Sequence, residues 1–153
     1  MPFEKDFIDF ISLCNKYQVE YLVVGGLAVA VHGYPRFTGD MDIWMKMTEV
    51  NAAKMLQVID DFGLSSLKIT TEDLLQKDGV IQFGVRPVRI DIMNELAGIS
   101  FDLAFVARRE VIREDIKINF IGLHELLASK KAAARQQDKA DIEKLRKVNK
   151  LKK

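Results

Sequence analysis

Residues 25–45 read GGLAVAVHGYPRFTGDMDIWM and carry two aspartates, Asp40 and Asp42, within an otherwise apolar run. Because residues i and i+2 of a strand face the same side, the two carboxylates are predicted to lie together while Met41 points into the core. Desolvation and like-charge repulsion both oppose the ionisation of such a pair. We therefore expect a positive partner, either a basic side chain such as Arg36 or a divalent cation such as Mg²⁺, which prefers oxygen ligands. An Asp-x-Asp pair also occurs in solvent-facing loops and does not identify a metal site alone.

A glycine pair, Gly25-Gly26, lies between a short apolar run at residues 20–24 and a helix-like segment at residues 27–32. Glycines before a helix let backbone N–H groups approach a ligand, and a helix N-terminus favours anions. The pair therefore indicates either a phosphate-binding turn or a tight strand-to-helix turn without a ligand. It is neither a Walker A loop, since no Gly-Lys-Ser/Thr follows, nor a GxGxxG fingerprint.

A third acidic residue, Asp91, lies in the apolar run VRIDIM at residues 88–93. A charged residue within such a run requires a partner. Residues 80–85 and 88–93 are predicted to form the two strands of a hairpin. If the second strand lies beside the strand of Asp42, the carboxylates and the glycine turn together supply what two-metal phosphoryl transfer needs.

The remaining pattern predicts helices and strands along the whole chain. An N-terminal helix ending near Tyr17 is predicted from apolar residues at helical spacing, namely Phe3, Phe7, Ile8, Phe10, Ile11 and Cys14. The further elements are a strand at 41–47, a helix from an N-cap at Thr48 to about Phe62, a short helix at 72–76 capped by Thr70 or Thr71, a strand at 116–121, and helices over 123–148 in two pieces that meet near Gln136. This order predicts an α/β or α+β domain with a mixed sheet flanked by helices.

Length and composition favour a single globular domain over residues 1–153. The apolar runs are too short to span a bilayer, and the start MPFEKDF lacks the pattern of a secretion signal. The one cysteine, Cys14, permits no internal disulfide, which fits a reducing compartment. We therefore predict a cytoplasmic protein that does not act at a membrane.

Charge is distributed unevenly, although the formal net charge is only +1. Residues 130–153 contain ten Lys and Arg against three Asp and Glu, a net charge of +7, whereas residues 1–129 carry 13 basic and 19 acidic residues, a net charge of −6. A basic segment beside an acidic body is typical of chains that meet polyphosphate or nucleic acid. The alternative is a solvated helix face that binds neither.

These features together resemble the polymerase-β-like nucleotidyltransferase superfamily. Its motif is an apolar strand, Gly-Gly or Gly-Ser, a connecting segment, and Asp-x-Asp flanked by apolar residues. Here VVGG is followed by thirteen residues and DMDI, and Asp91 in RIDI matches the third acidic residue on a later strand. A narrower resemblance is to small stand-alone nucleotidyltransferases of the abortive-infection AbiEii type. The residues that match it are Arg36, Thr38, Asp40 and Asp42 in an Arg-x-Thr-x-Asp-x-Asp segment, and Lys130, Arg135, Asp138 and Asp141 in a C-terminal helical pattern.

The resemblance implies an enzyme that uses Mg²⁺ or Mn²⁺ to transfer a nucleoside monophosphate from an NTP such as ATP. Asp40 and Asp42 would hold two ions, and Asp91 would bind the second ion and help to deprotonate the acceptor hydroxyl. The amides of Gly25 and Gly26 would cradle the β- and γ-phosphates. Further nucleotide contacts are expected from Arg36, Thr38, Lys130 and Arg135. The expected acceptor is a hydroxyl on protein or RNA, and the chain is expected to act in a toxin–antitoxin pair with a cognate protein.

Other polar residues allow two interpretations each. His32 is either a base or a hydrogen-bonded helix histidine, and Trp44 either stacks on a nucleobase or packs in the core. On one continuous helix, Lys130 and Arg135 would lie about 140° apart and would share a ligand poorly. Arg135 is then expected to reach phosphate while Lys130 pairs with an acid. Asp138 and Asp141, at i and i+3, either have a structural role, in which they hold Arg135 or cap a second helix, or have a functional one.

Three functions are consistent with the sequence. The first is the metal-dependent nucleotidyltransferase, which the presence of all three carboxylates favours. The second is a non-catalytic module that keeps the fold and binds a nucleotide or a partner. The third is a nucleic-acid-binding protein that uses the basic segment, whose binding would depend steeply on salt.

Overall fold

The computed structural model of the chain describes residues 4–36 and 38–151, which contain seven α-helices and six strands. The strands are β1 (Tyr21–Val24), β2 (Asp40–Met45), β3 (Val80–Phe83), β4 (Arg89–Met93), β5 (Arg109–Arg113) and β6 (Ile116–Phe120). The helices are α1 (Lys5–Lys16), α2 (Gly25–Val31), α3 (Glu49–Ile59), α4 (Thr71–Leu75), α5 (Phe101–Val106), α6 (Leu123–Ala133) and α7 (Gln136–Val148). The predicted mixed α+β architecture is confirmed. Phe3, which was expected on the apolar face of α1, lies outside the described residues.

The six strands form one mixed sheet in the order β3-β4-β2-β1-β6-β5. β2 pairs antiparallel with β1 and parallel with β4, while β3–β4 and β5–β6 are antiparallel hairpins. In the parallel pair, Asp42 lies opposite Asp91 and Asp40 lies opposite Arg89. This register places the acidic residues of two distant segments side by side.

The core lies on both faces of the central strands. Met41 and Ile43 of β2 are fully buried, as their alternation predicts. On the opposite face Trp44 is 2% exposed and packs edge-on against Phe101 of α5, with ring centroids 5.0 Å apart. The interpretation of Trp44 as a core residue is therefore confirmed, and the alternative that it stacks on a nucleobase is wrong. Cys14 is buried on the apolar face of α1, as expected for a core residue.

Side-chain caps fix where two of the helices begin. The Thr48 hydroxyl accepts a hydrogen bond from the Asn51 N–H at 3.1 Å and starts α3. Thr70 and Asp73 form a reciprocal capping box that starts α4, so Thr70 rather than Thr71 is the cap. After α3 the chain makes a wider turn, Asp60–Leu64, that contains Gly63 at φ 96°.

Several element ends differ from the prediction by two or three residues, and three differences are larger or concern the site. α2 begins at Gly25, so the glycine pair forms the first turn of the helix and does not precede it. α5 and β5 were not predicted at all. β5 is an edge strand whose two faces are both largely exposed, and its sequence REVIR therefore lacks the alternation of a half-buried strand.

The C-terminal region consists of two helices, as predicted, and the break between them falls at Ala134. Its backbone is left-handed at φ 55°, and its N–H donates to the carbonyl of Lys130 at 2.9 Å. Lys130 and Arg135 therefore lie on either side of a turn, and the 140° separation expected on a continuous helix does not apply. None of the helices among residues 4–36 and 38–151 combines the length and hydropathy needed to cross a bilayer.

Replacing Ala134 with Gly should stabilise the protein by about 0.5–1 kcal/mol, because Gly adopts this left-handed conformation without the Cβ clash of an L-residue. The measurement is the free energy of unfolding from urea denaturation. Ala128→Gly, at an exposed interior position of α6, is the matched control and should destabilise by about 1 kcal/mol. Equal losses in the two variants would contradict the role assigned to the turn.

Candidate functional site: an acidic triad facing a basic cluster

Three carboxylates converge on one face of the sheet. Asp40 and Asp42 project from the same side of β2, and Asp91 projects from β4 directly opposite Asp42. One oxygen from each lies within 4.8 Å of the others. The expected convergence of Asp40, Asp42 and Asp91 is therefore confirmed. Hard oxygen donors at this spacing fit a divalent cation such as Mg²⁺.

The positive partner of the triad is Arg89, which the sequence analysis missed. Its Nη2 donates to Asp40 Oδ2 at 2.8 Å and to Asp91 Oδ2 at 3.1 Å. Its Nε lies 3.0 Å from Asp91 Oδ1, although the two atoms are not aligned for a hydrogen bond. Arg36, the basic side chain named as one possible partner, instead donates through its Nη2 to Asp141 at 3.1 Å.

Burial and the neighbouring carboxylates raise the pKa of Asp42. Burial raises the pKa of its carboxyl from 3.8 to about 7, and the charges of Asp40 and Asp91 act in the same direction, whereas Arg89 opposes them. The protein therefore holds a partly protonated carboxyl at neutral pH beside two neighbours that share one guanidinium. A divalent cation would favour the ionised form of all three groups.

The first glycine of the pair makes room for Asp42. Gly25 has φ 67°, and a Cβ on it would lie 2.0 Å from Asp42 Oδ2. A side chain is therefore excluded both by the backbone conformation and by the carboxylate. A Cβ on Gly26 would lie 3.0 Å from Thr38 Oγ1, and this hydroxyl is in turn 3.1 Å from Asp40 Oδ1. Gly25, Gly26 and Thr38 thus lie against the triad, and the first N–H groups of α2 have no partner within the helix.

A second cluster forms where α6 and α7 meet. Asp138 and Asp141 of α7 are buried, with 1% and 0% of their surface exposed. Lys130 Nζ lies 3.2 Å from Asp138 Oδ1 and 2.9 Å from Asp141 Oδ2, and Arg36 binds the same Asp141 oxygen. The loop before β2 and both C-terminal helices are therefore joined through two carboxylates, and Lys130 pairs with acids as expected.

Asp138 also organises Arg135. The Arg135 Nε donates to Asp138 Oδ2 at 2.7 Å, and the Arg135 backbone N–H donates to the same oxygen at 3.2 Å. Asp138 therefore both holds Arg135 and caps α7, the two structural roles predicted, whereas Asp141 instead pairs with Lys130 and Arg36. Burial alone would raise the pKa of Asp138, but the hydrogen bonds from Arg135 and Lys130 outweigh it and lower the pKa below its usual value. The hydrogen bond to Asp138 raises the pKa of Arg135, to which the charge of Asp42 also contributes.

A cavity of about 430 Å³ separates the two clusters. Its lining includes the triad with Gly25, Arg86 and Arg89, and, from the C-terminal helical region, Lys130, Arg135 and Asp138. Apolar side chains, among them Met93, Leu96 and Leu126, complete the lining. Its size is within the range of small-molecule sites, and a ligand that spans it would meet acidic groups on one side and basic groups on the other.

His32 has a structural role. It is buried, and its Nε2 lies 2.7 Å from the carbonyl of Ile121. Burial lowers its pKa below the usual value. The interpretation as a hydrogen-bonded helix histidine is confirmed, whereas the alternative role as a base is not supported by this buried position.

The fold is that of nucleotidyltransferases. No protein-family model matches the sequence, and no curated protein matches it. A Thermotoga maritima protein assigned to the nucleotidyltransferases is similar in structure, with a TM-score of 0.57 and 17% identity over 92% of this chain and 88% of that one. The lincosamide antibiotic adenylyltransferase LnuA, solved with lincomycin bound, has a TM-score of 0.57 and 17% identity over 95% of this chain and 98% of its own.

The raised pKa of Asp42 predicts that stability of the metal-free protein falls as pH rises. Between the ordinary value of 3.8 and the folded value of about 7, the folded state holds a proton that the unfolded chain releases. Unfolding is then favoured by each rise in pH through this window. Across this pH window the free energy of unfolding of the wild type should fall by about 1–3 kcal/mol more than that of Asp42→Asn. The measurement is urea denaturation with a chelator present.

The matched control for this measurement is Asp115→Asn, at an exposed turn position between β5 and β6. It should follow the wild-type pH dependence. Parallel curves for the wild type and Asp42→Asn would show that the crowding of the triad does not perturb this carboxyl.

Proposed function

We propose that the chain is a metal-dependent nucleotidyltransferase that moves a nucleoside monophosphate from an NTP to a hydroxyl group. The observation that carries the proposal is the convergence of Asp40, Asp42 and Asp91 beside a glycine turn that leaves no room for a side chain. The likeness in fold to an adenylyltransferase over nearly the whole length of both chains supports it.

The triad would supply the ligands of Mg²⁺ or Mn²⁺. Bound divalent ions would neutralise the triphosphate and stabilise the charge that develops as pyrophosphate leaves. Asp91, 5% exposed at the edge of the triad, would accept the proton of the acceptor hydroxyl. The hydroxyl oxygen then bonds to the α-phosphorus, and the bond between that phosphorus and the bridging oxygen of pyrophosphate breaks.

The surrounding residues would position the nucleotide. The N–H groups of Gly25 and Gly26 would bind the β- and γ-phosphates, with Thr38 supporting Asp40 beside them. Arg135 is 76% exposed on the cavity wall and is suited to contact phosphate directly. Lys130 and Arg36 contribute positive charge while they hold α6 and α7 in place through Asp141.

The acceptor in this proposal is a hydroxyl on a protein or an RNA. The pattern of Arg36, Thr38, Lys130 and Arg135 supports a place among nucleotidyltransferases of the AbiEii type, and with it a cytoplasmic toxin–antitoxin pair with a cognate protein. LnuA acts on a lincosamide antibiotic, so a small-molecule hydroxyl is the acceptor to test beside the macromolecules.

A second candidate function is a nucleotide- or partner-binding module without turnover. The observation that favours it is Arg89, which bridges two of the three carboxylates that catalysis requires. The two candidate functions differ in whether the protein transfers a nucleotide from NTP to an acceptor.

The deciding experiment incubates the protein with each α-³²P-labelled NTP, Mg²⁺ or Mn²⁺, and cell extract, and follows label in products resistant to protease or to ribonuclease. The enzyme proposal requires label that depends on the metal and disappears in Asp42→Asn. Nucleotide binding without label from any NTP would overturn it in favour of the binding module.

Gly26→Val and Asp91→Asn should separate binding from chemistry. A side chain at Gly26 meets Thr38 and obstructs the phosphate turn, so Gly26→Val should weaken NTP binding by about tenfold or more in calorimetric titration. Asp91→Asn should retain most of the binding and lose turnover. Ala30→Val, later in α2, controls for a branched side chain in this helix and should bind as the wild type does.

Circular dichroism must show that the variants are folded. A folded Gly26→Val protein that binds NTP as tightly as the wild type would remove the glycine turn from the phosphate site.

A further inference from the structure

Arg89 is held inside the acidic face of the sheet. It faces the same side of β4 as Asp91, two residues away, and it lies opposite Asp40 across the parallel strand pair. Its side chain is 26% exposed, so most of it is covered by the cluster. Arg86, which begins the approach to β4, reaches 3.9 Å from Asp40 Oδ2 but is 63% exposed. Arg89 is therefore the principal counter-ion of the triad.

The guanidinium engages two of the three carboxylates that a divalent cation would need. Nη2 lies 2.8 Å from Asp40 Oδ2 and 3.1 Å from Asp91 Oδ2, and these carboxylates belong to the group whose oxygens converge within 4.8 Å. A cation at about 2.1 Å from the same oxygens would meet the guanidinium at close range and be repelled by it. The two positive groups are therefore alternative partners of Asp40 and Asp91.

An Arg89 side chain released from the carboxylates would still lie in the cavity proposed to bind the nucleotide. Arg89 and Gly25 line the same cavity, and Arg86 lines it beside them. A guanidinium freed from carboxylates binds phosphate oxygens in pairs and retains its charge. In the proposed function the phosphates of the nucleotide lie in this cavity. The displaced Arg89 side chain could therefore bind them.

We propose that Arg89 is an exchangeable counter-ion: it balances Asp40 and Asp91 until a divalent cation takes them, and it then binds the phosphates of the nucleotide. The inference rests on the proposed function for the identity of the ligands. Its consequence is coupling, because the cation frees Arg89 for the nucleotide and the nucleotide withdraws Arg89 from competition with the cation. Each ligand therefore strengthens the binding of the other by the same factor.

The experiment is a titration of Mn²⁺ followed by electron paramagnetic resonance, without nucleotide and with a non-hydrolysable NTP analogue. Arg89→Met removes the charge and keeps most of the stem. Without nucleotide it should bind Mn²⁺ about tenfold tighter than the wild type, the effect expected from losing charge-assisted hydrogen bonds that compete. With Mn²⁺ saturating, it should bind the analogue more weakly, so that the factor by which each ligand helps the other shrinks.

Three variants complete the design. Arg113→Met, at the end of β5 where Arg113 donates to the carbonyl of Ile112, is the matched control and should behave as the wild type. Arg89→Lys keeps the charge without the two-pronged guanidinium and should lie between the wild type and Arg89→Met, which preserves the test if the methionine variant unfolds. Asp42→Asn should lose the tight Mn²⁺ site.

The outcomes are distinct from those of the proposed function. Equal or weaker Mn²⁺ binding by folded Arg89→Met, or undiminished Mn²⁺ binding by Asp42→Asn, overturns the exchange. Tighter Mn²⁺ binding and reduced coupling in Arg89→Met support it even if no acceptor is ever labelled, in which case the transferase proposal alone fails.

Discussion

The repulsion among three carboxylates packed onto one sheet face is the constraint on which the rest of the site depends. The parallel register of β2 and β4 brings Asp42 and Asp91 opposite each other, and it brings Arg89 opposite Asp40. The same pairing therefore creates the like-charge cluster and supplies its counter-ion. Gly25 is required beside it because any side chain would collide with Asp42. The three carboxylates therefore account for the glycine at the start of α2 and for the arginine on β4.

In the cluster where α6 and α7 meet, positive groups outnumber carboxylates, which is the reverse of the triad. Two carboxylates, Asp138 and Asp141, face cations from three segments of the chain, so each acid has more than one positive partner. Buried pairs of this kind add little net stability, since desolvation offsets attraction, but removing one member leaves an uncompensated charge. Their effect is to specify how the C-terminal helices dock, and this docking forms the basic wall of the cavity. The +7 segment is thus in part an internal structural element and not merely a solvated tail.

Much of the fold could be predicted from the sequence, because strong local signals set it. Thr48 begins its helix, the run around Asp91 forms a hairpin, and the C-terminal region divides near Gln136 as the pattern indicates. β5 could not be predicted, because an edge strand exposed on both faces has no apolar alternation. At the site, Arg89 had one signal, its two-residue spacing from Asp91, which places both on one strand face. Its contact with Asp40 depends on strand order, which no local pattern contains.

Three positions that break local rules lie at or next to the lining of the cavity. Gly25 has a left-handed backbone, Ala134 adopts a conformation that disfavours an L-residue, and Asp42 is a carboxyl with a pKa near neutrality. A folded chain tolerates such features when the surrounding packing compensates for them, and other left-handed residues, such as Gln18 and Lys68, lie elsewhere in the chain. At neutral pH the like charges of the triad lower the free energy of unfolding. A ligand that stabilises the ionised carboxylates in the folded state raises it again. The burial and like-charge repulsion that oppose ionisation of the triad are therefore the same terms that the binding of a cation would offset.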